Sequence, residues 1–163
     1  AEAIVAMPLG RIDFETTSNI GVIEGGSATN IIPDTVTLKG EARSRNADKL
    51  QAQTETMVEA LQKAADAAGA TIDIEVNAAY AAYTLTEESP AVQLICAAAR
   101  GVGIEPQLSA GGGGSDANIF CAAGIETIQL STGMAGFHTC QEYIRVEDMV
   151  QSARIVAQSL IVA

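Results

Sequence analysis

The chain has 163 residues, with 9 basic against 20 acidic side chains, a formal net charge of −11 and 48% hydrophobic residues. Such a composition belongs to a folded globular chain, and the length fits one ordinary domain or two small ones with modest cores. An acidic excess of this size, with no cluster of Lys or Arg, excludes binding to a phosphate backbone, so no nucleic acid is expected as a partner.

No apolar run approaches the ~20 residues that a bilayer crossing requires, and the first residues lack the basic-then-apolar order of a secretion signal. No membrane partner and a cytoplasmic location are therefore expected. Cys96, Cys121 and Cys140 are widely spaced and form no Cys-x-x-Cys pair, so each is read as a free thiol. Aromatics make up only 4% with no Trp, which leaves Ala, Ile, Val and Leu to build the core.

Residues 1–7 read as the last turns of an apolar helix, stopped by Pro8-Leu9-Gly10. Without a starting Met or an N-cap, the beginning of that helix is expected upstream of Ala1. Residues 19–24 carry Ile20, Val22 and Ile23 into Gly25-Gly26, a strand ending at a turn. After an irregular bridge over 27–33, residues 35–43 alternate as a second strand. Asn46 is placed to cap a helix over 47–68, in which Leu50, Met57, Val58, Leu61, Ala64, Ala65 and Ala68 share one face and which Gly69 closes. Residues 71–76 alternate Ile72, Ile74 and Val76 against Asp73 and Glu75, a one-sided strand. Together these elements make an incomplete two-layer α+β sandwich, short of one strand and most of one helix.

A domain boundary is expected where this pattern breaks, around 84–90, with Glu87-Glu88-Ser89-Pro90 as the start signal of the next helix. Beyond it come a helix over 90–99, a short strand near Gln107, the run Gly111-Gly112-Gly113-Gly114, a helix to Ala122 and a strand over 127–130. A loop carrying His138 and a helix over 146–162 follow. Alternation of this kind suggests part of a parallel or mixed α/β sheet covered on both faces, too small to be that sheet alone.

Few residues offer chemistry. The glycine run lies before a helix, where backbone N–H groups suit an anion, and it equally suits a flexible turn with Ser115 or Asp116 as the cap. His138 is the only histidine, and one imidazole does not make a metal site, which takes three or four protein ligands. Arg43 reads as a strand surface residue and Asn30 as a turn former. Cys140, two residues past His138, is a weak nucleophile candidate because loop neighbours seldom make the directed hydrogen bond that activation needs. The acidic pairs Glu87-Glu88 and Glu147-Asp148 sit at helix starts, where negative charge is stabilising.

Four segments in order, Gly25 to Asp34 (Gly-Gly-Ser-Ala-Thr-Asn-Ile-Ile-Pro-Asp), Glu41-Ala42-Arg43-Ser44, Gly112 to Phe120 (Gly-Gly-Gly-Ser-Asp-Ala-Asn-Ile-Phe) and His138-Thr139-Cys140-Gln141-Glu142-Tyr143-Ile144, resemble the peptidase T branch of the cocatalytic zinc metallopeptidases. That superfamily also holds carboxypeptidase G, aminoacylase, acetylornithine deacetylase and succinyl-diaminopimelate desuccinylase. The resemblance implies an overall α+β chain in which residues 1–84 are most of a lid or dimerisation domain. Residues 85–163 would be the C-terminal portion of an α/β zinc-peptidase catalytic domain. It implies two zinc ions in the complete enzyme, with His138 as the one metal ligand present here. Asn30, Arg43, Gly112, Gly113, Gly114 and Ser115 would meet the substrate, Arg43 gripping a carboxylate through its guanidinium fork.

The general-base Glu and the remaining metal ligands would lie upstream, so no catalytic residue is expected in this chain and the chain alone is expected to be inactive. Cys140 stands where such sequences often have Thr, and Gly111 where Ser is common. The implied activity is amide-bond hydrolysis of small peptides by a homodimeric enzyme whose lids pair. The rival readings are a deacylase or desuccinylase of the same superfamily, a non-enzymatic dimerisation or ligand-binding module, and an anion-binding domain built on the glycine loop.

Overall fold

The computed structural model describes residues 1–162. They form a mixed α/β structure of five helices and one three-stranded antiparallel sheet, divided into two compact units, 1–82 and the described residues from 83 onward. Among the described residues, no helix is long and apolar enough to cross a membrane.

In the first unit, α1 (Glu2–Ala6) leads through β1 (Gly10–Arg11) to the long hairpin of β2 (Thr16–Gly25) and β3 (Val36–Ser44), and α2 (Ala47–Ala68) follows. The sheet order is β1-β2-β3, with Gly25 opposite Val36 at the loop end and Thr17 opposite Arg43 near the other. α2 begins and ends where its sequence dictates. Asn46 is extended and its Oδ1 accepts the Lys49 N–H at 3.0 Å, while Gly69 closes the helix in the left-handed conformation with φ 64°. The helix lays Met57, Ala60, Leu61 and Ala64 against Ala3, Met7, Leu9, Ile20 and Ala42, a core of small and flexible side chains as the scarcity of aromatics requires. Truncating Met57 to Ala there costs about 2–5 kcal/mol.

Polar groups are buried beside this core, and all are satisfied. Gln53 Nε2 donates to the Pro8 carbonyl at 2.9 Å and to Ser18 Oγ at 3.0 Å, Ser18 Oγ donates to the same carbonyl at 2.7 Å, and the Thr16 and Ser44 hydroxyls lie 3.0 Å apart. Among the described residues no buried side-chain polar atom lacks a partner.

The second unit contains α3 (Pro90–Gly101), α4 (Asp116–Ala122) and α5 (Val146–Val162). Pro90 opens α3 as expected from the Ser89-Pro90 signal. α3 and α5 pack through Ala98, Ala99 and Ile155, joined by Ile95, Val102, Ile104 and Leu130.

Three expected strands are not formed. Residues 71–76, the stretch near Gln107 and residues 127–130 belong to no ladder, and outside the named strands the described residues hold a single bridge, Ala135 with Tyr143. In these segments Leu130 packs on the α3–α5 pair and Ile74 is half-buried, while Ile72 and Val76 stay exposed. A strand, however, also needs a neighbour to hydrogen-bond, and periodicity carries no information about that neighbour. The two-residue β1 escaped prediction because it is too short to show a period.

Candidate functional site

Arg43 stands on β3, where its Nη2 donates to Glu41 Oε2 at 2.9 Å from two residues along the same strand face. That hydrogen bond pushes the guanidinium pKa above its ordinary value, against a smaller opposing effect of burial. The pair is open to water, with 45% and 56% of the two side chains exposed, and such exposed pairs contribute about 0–1 kcal/mol. A ligand carboxylate can therefore replace Glu41 at little cost.

Asn30 lies in the loop joining β2 to β3, at the opposite end of the same hairpin. From Val36 to Arg43 the strand rises about 23 Å, seven steps at ~3.3 Å each. Residues 21–37 are exposed throughout, so the loop does not fold back over the ribbon. Asn30 and Arg43 thus stand at opposite ends of the hairpin, farther apart along the backbone than the ~11 Å that an extended tripeptide spans.

In the second unit, the glycine run leads into α4. Ser115 is its N-cap: Ser115 Oγ accepts the Ala117 N–H at 3.2 Å, and Asn118 Oδ1 accepts the Ser115 N–H at 3.0 Å, a reciprocal capping box. The Ser115 hydroxyl is thereby engaged at the helix start. Gly111, Gly112, Gly113 and Gly114 are exposed, and a Cβ at any of the first three would meet nothing within 4 Å, so intramolecular packing does not explain why these three are glycines.

His138 sits exposed in a closed loop. Ala135 and Tyr143 exchange backbone hydrogen bonds at 2.9 and 3.0 Å, and inside them the His138 N–H donates to Glu142 Oε2 at 2.8 Å. The Thr139 hydroxyl donates to the Gly136 carbonyl at 2.7 Å and accepts the Gln141 N–H at 3.1 Å. Gly136 has φ 68°, and a Cβ there would stand 2.8 Å from the Gln141 carbonyl, so the turn admits only glycine. All three cysteines are free thiols, Cys96 buried, Cys121 half-buried and Cys140 exposed.

One cluster had no sequence signal. Lys49 Nζ donates to Asp13 Oδ2 at 2.9 Å and Glu15 Oε1 at 2.7 Å and stands 4.8 Å from the centroid of the Phe14 ring, while Arg45 approaches the same ring at 5.6 Å. The hydrogen bond from Lys49, aided by the Glu15 amide, holds the Asp13 carboxyl well below the usual carboxylate range. Its carboxylates already neutralise the cation, so the cluster ties α2 to the turn before β2 and offers no free group. Its members are 34 and 36 residues apart in sequence, beyond the reach of local pattern.

The expected residues therefore divide, Asn30 and Arg43 in the first unit and Gly112, Gly113, Gly114, Ser115 and His138 in the second. The description of peptidase family M20/M25/M40 fits residues 4–161, nearly the whole chain. The chain belongs to peptidase family M20/M25/M40. It is 42% identical to aminopeptidase PepT from Bacillus cereus ATCC 10987, with a TM-score of 0.80 over 97% of this chain and 42% of that one. A tripeptidase from Staphylococcus aureus subsp. aureus Mu50 is 31% identical with a TM-score of 0.87, covering 98% of this chain and 43% of that one. The uncharacterized protein YqjE of Bacillus subtilis (strain 168) is 39% identical over 156 residues, 96% of this chain and 42% of YqjE. The chain thus spans about two-fifths of the length of each of these M20/M25/M40 relatives.

The metal dependence general in this family can be tested against the donors present. Among the described residues, no group of three or more His, Cys, Asp or Glu side chains is arranged to hold a metal ion. A zinc site takes three or four protein ligands. By themselves these residues do not fit a zinc centre.

Proposed function

We propose that this M20/M25/M40 chain is part of a peptidase T-like enzyme, a tripeptide aminopeptidase or related amidohydrolase that cleaves amide bonds of small peptides in the cytoplasm. The likeness to PepT and to a tripeptidase over almost all of the chain carries this reading. Residues 1–84 serve as lid and dimerisation domain, and residues 85–163 as the C-terminal part of the catalytic domain. His138 contributes one ligand to a zinc centre whose other ligands and general base come from the length of the relatives that this chain does not span.

Arg43 binds the peptide's C-terminal carboxylate. Its planar fork matches two carboxylate oxygens, and its present partner Glu41 is exposed and weakly held. Gly112, Gly113, Gly114 and Ser115 line the pocket with backbone, the Ser115 side chain capping α4. Asn30 also faces the substrate, and its place at the far end of the hairpin from Arg43 supports its reaching a site other than the one served by Arg43 of the same copy. In a homodimer paired through the lids, each site takes Arg43 from one copy and Asn30 from the other. Val22, Ile23 and Val36, exposed on the hairpin, supply apolar surface for that pairing.

The reading is tested by incubating the polypeptide that carries this chain in its full family length with free tripeptides, N-acetyl amino acids and N-succinyl amino acids, and identifying the products by mass spectrometry. Release of the amino-terminal residue from tripeptides is expected. Hydrolysis confined to the acylated amino acids would establish the deacylase reading instead, and no hydrolysis of any would favour a binding module.

A further inference from the structure

Among the described residues, His138 is the one non-glycine residue with positive φ, 61°. A left-handed backbone is unfavourable for a residue with a Cβ and free of that penalty for glycine, and such strain persists only where the surroundings hold it. Yet the position is occupied by the chain's single histidine. If the turn were needed only as a turn, glycine would serve better, as it does at Gly133 and Gly136 nearby, both with positive φ. The histidine is there for its side chain, and something must hold its backbone.

That something is Glu142. Its Oε2 accepts the His138 N–H at 2.8 Å, while its own N–H donates to the Thr139 carbonyl at 3.1 Å, so residue 142 grips the turn on both sides of the imidazole-bearing residue. An ionised acceptor makes the first bond stronger than the neutral ones around it. The side chain is exposed and belongs to neither apolar core, so its contribution is to the shape of this loop. The Ala135–Tyr143 bridge closes the loop one residue beyond Glu142 and fixes where the carboxylate starts.

We propose that Glu142 is a positioning residue for His138: its carboxylate clamps the His138 amide, keeps the backbone left-handed and thereby fixes the direction in which the imidazole leaves the loop. This rests on His138 being a functional side chain, as proposed above. Glu142 touches no substrate. Because the bond needs an acceptor oxygen and not a negative charge, Glu142→Gln retains the clamp in weaker form, whereas Glu142→Ala removes it.

Two measurements test this. Amide hydrogen exchange by NMR on the chain itself should find the His138 N–H protected in the wild type, still protected in E142Q, and exchanging roughly tenfold or more faster in E142A, with the rest of the spectrum unchanged. In the full-length enzyme, kcat for a tripeptide should fall roughly tenfold to a hundredfold in E142A and recover most of its value in E142Q, with KM unchanged, the pattern of a displaced group and not of lost substrate binding. An unprotected His138 amide in the wild type overturns the proposal. So does E142A with wild-type kcat despite faster exchange, or E142Q as slow as E142A while its amide stays protected. His138→Gly, which suits the left-handed turn and deletes the imidazole, tests the underlying reading separately. Full activity in H138G refutes a role for His138 and the proposal with it, while an inactive H138G beside an unaffected E142A refutes the proposal alone.

Discussion

A mixture of two impaired variants should regain activity if the hairpin works across a dimer. Arg43→Ala leaves Asn30 intact, and Asn30→Ala leaves Arg43 intact. The two positions stand at opposite ends of β2–β3, and β3 rises about 23 Å from Val36 to Arg43, against the ~11 Å that an extended tripeptide spans. In a dimer of the two variants, one site receives both intact side chains and the other receives neither. Random exchange at equal concentrations makes half the dimers mixed, so about one-quarter of the wild-type sites are restored. Each variant alone should be depressed by the loss of a polar substrate contact, and the mixture, after subunit exchange by dilution and reconcentration, should rise toward a quarter of wild-type kcat/KM. Mixtures no more active than the mean of their components, in a sample shown by mass spectrometry to contain mixed dimers, would refute the shared site. It would mean that Asn30 and Arg43 do not meet one substrate from different copies.

Other consequences are as direct. Arg43→Lys keeps the charge but loses the fork, so peptides with a free C-terminal carboxylate should lose roughly 1–3 kcal/mol in kcat/KM and C-terminally amidated peptides much less; an equal loss for both would show that Arg43 does not read the carboxylate. Because Asp13 is held below its ordinary pKa by Lys49, its contribution to stability is present above the unfolded value near ~3.9 and is lost as pH falls through the lowered one. The bond raises the Lys49 pKa, and that contribution is present below ~10.4 and lost as pH rises through the raised value. Urea midpoints at acid pH should therefore fall less steeply for Asp13→Asn than for wild type, and identical slopes would mean that the ion pair is not linked to folding. Asn46→Ala should cost about 1 kcal/mol by removing the cap on α2, a loss that an unchanged midpoint would deny. Calorimetric titration of the chain with zinc should detect no tight stoichiometric site, given the absence of any three-ligand cluster among the described residues. A tight site would contradict the division of ligands proposed here.

The helices were legible because their signals are local. Asn46 and Gly69 bracket α2, Ser89-Pro90 opens α3, and each is a contact within a turn or two of chain. The hairpin strands were legible from their alternation, although β2 begins earlier than its apolar residues suggest. Thr16 and Ser18 are buried polar residues at its start, made possible by Ser44, Pro8 and Gln53 from elsewhere in the chain. Residues 71–76 and 127–130 mimic strands for the complementary reason, with the right side-chain pattern and no ladder partner. For the candidate site, the sequence marked Arg43, Asn30, the glycines and His138 through motif resemblance. It did not mark the geometry: the length of the hairpin between Asn30 and Arg43, the Ser115 hydroxyl engaged in a cap, and the left-handed backbone of His138 depend on register and on the sign of φ, which residue type does not record.

Peptide hydrolysis is tested most directly by comparing kcat/KM of the full-length enzyme for a tripeptide with a free amino terminus and for the same tripeptide N-acetylated. The free tripeptide should be cleaved after its first residue and the acetylated one should not be cleaved appreciably. Equal or preferential hydrolysis of an acylated substrate would contradict an aminopeptidase and place the chain among the deacylases.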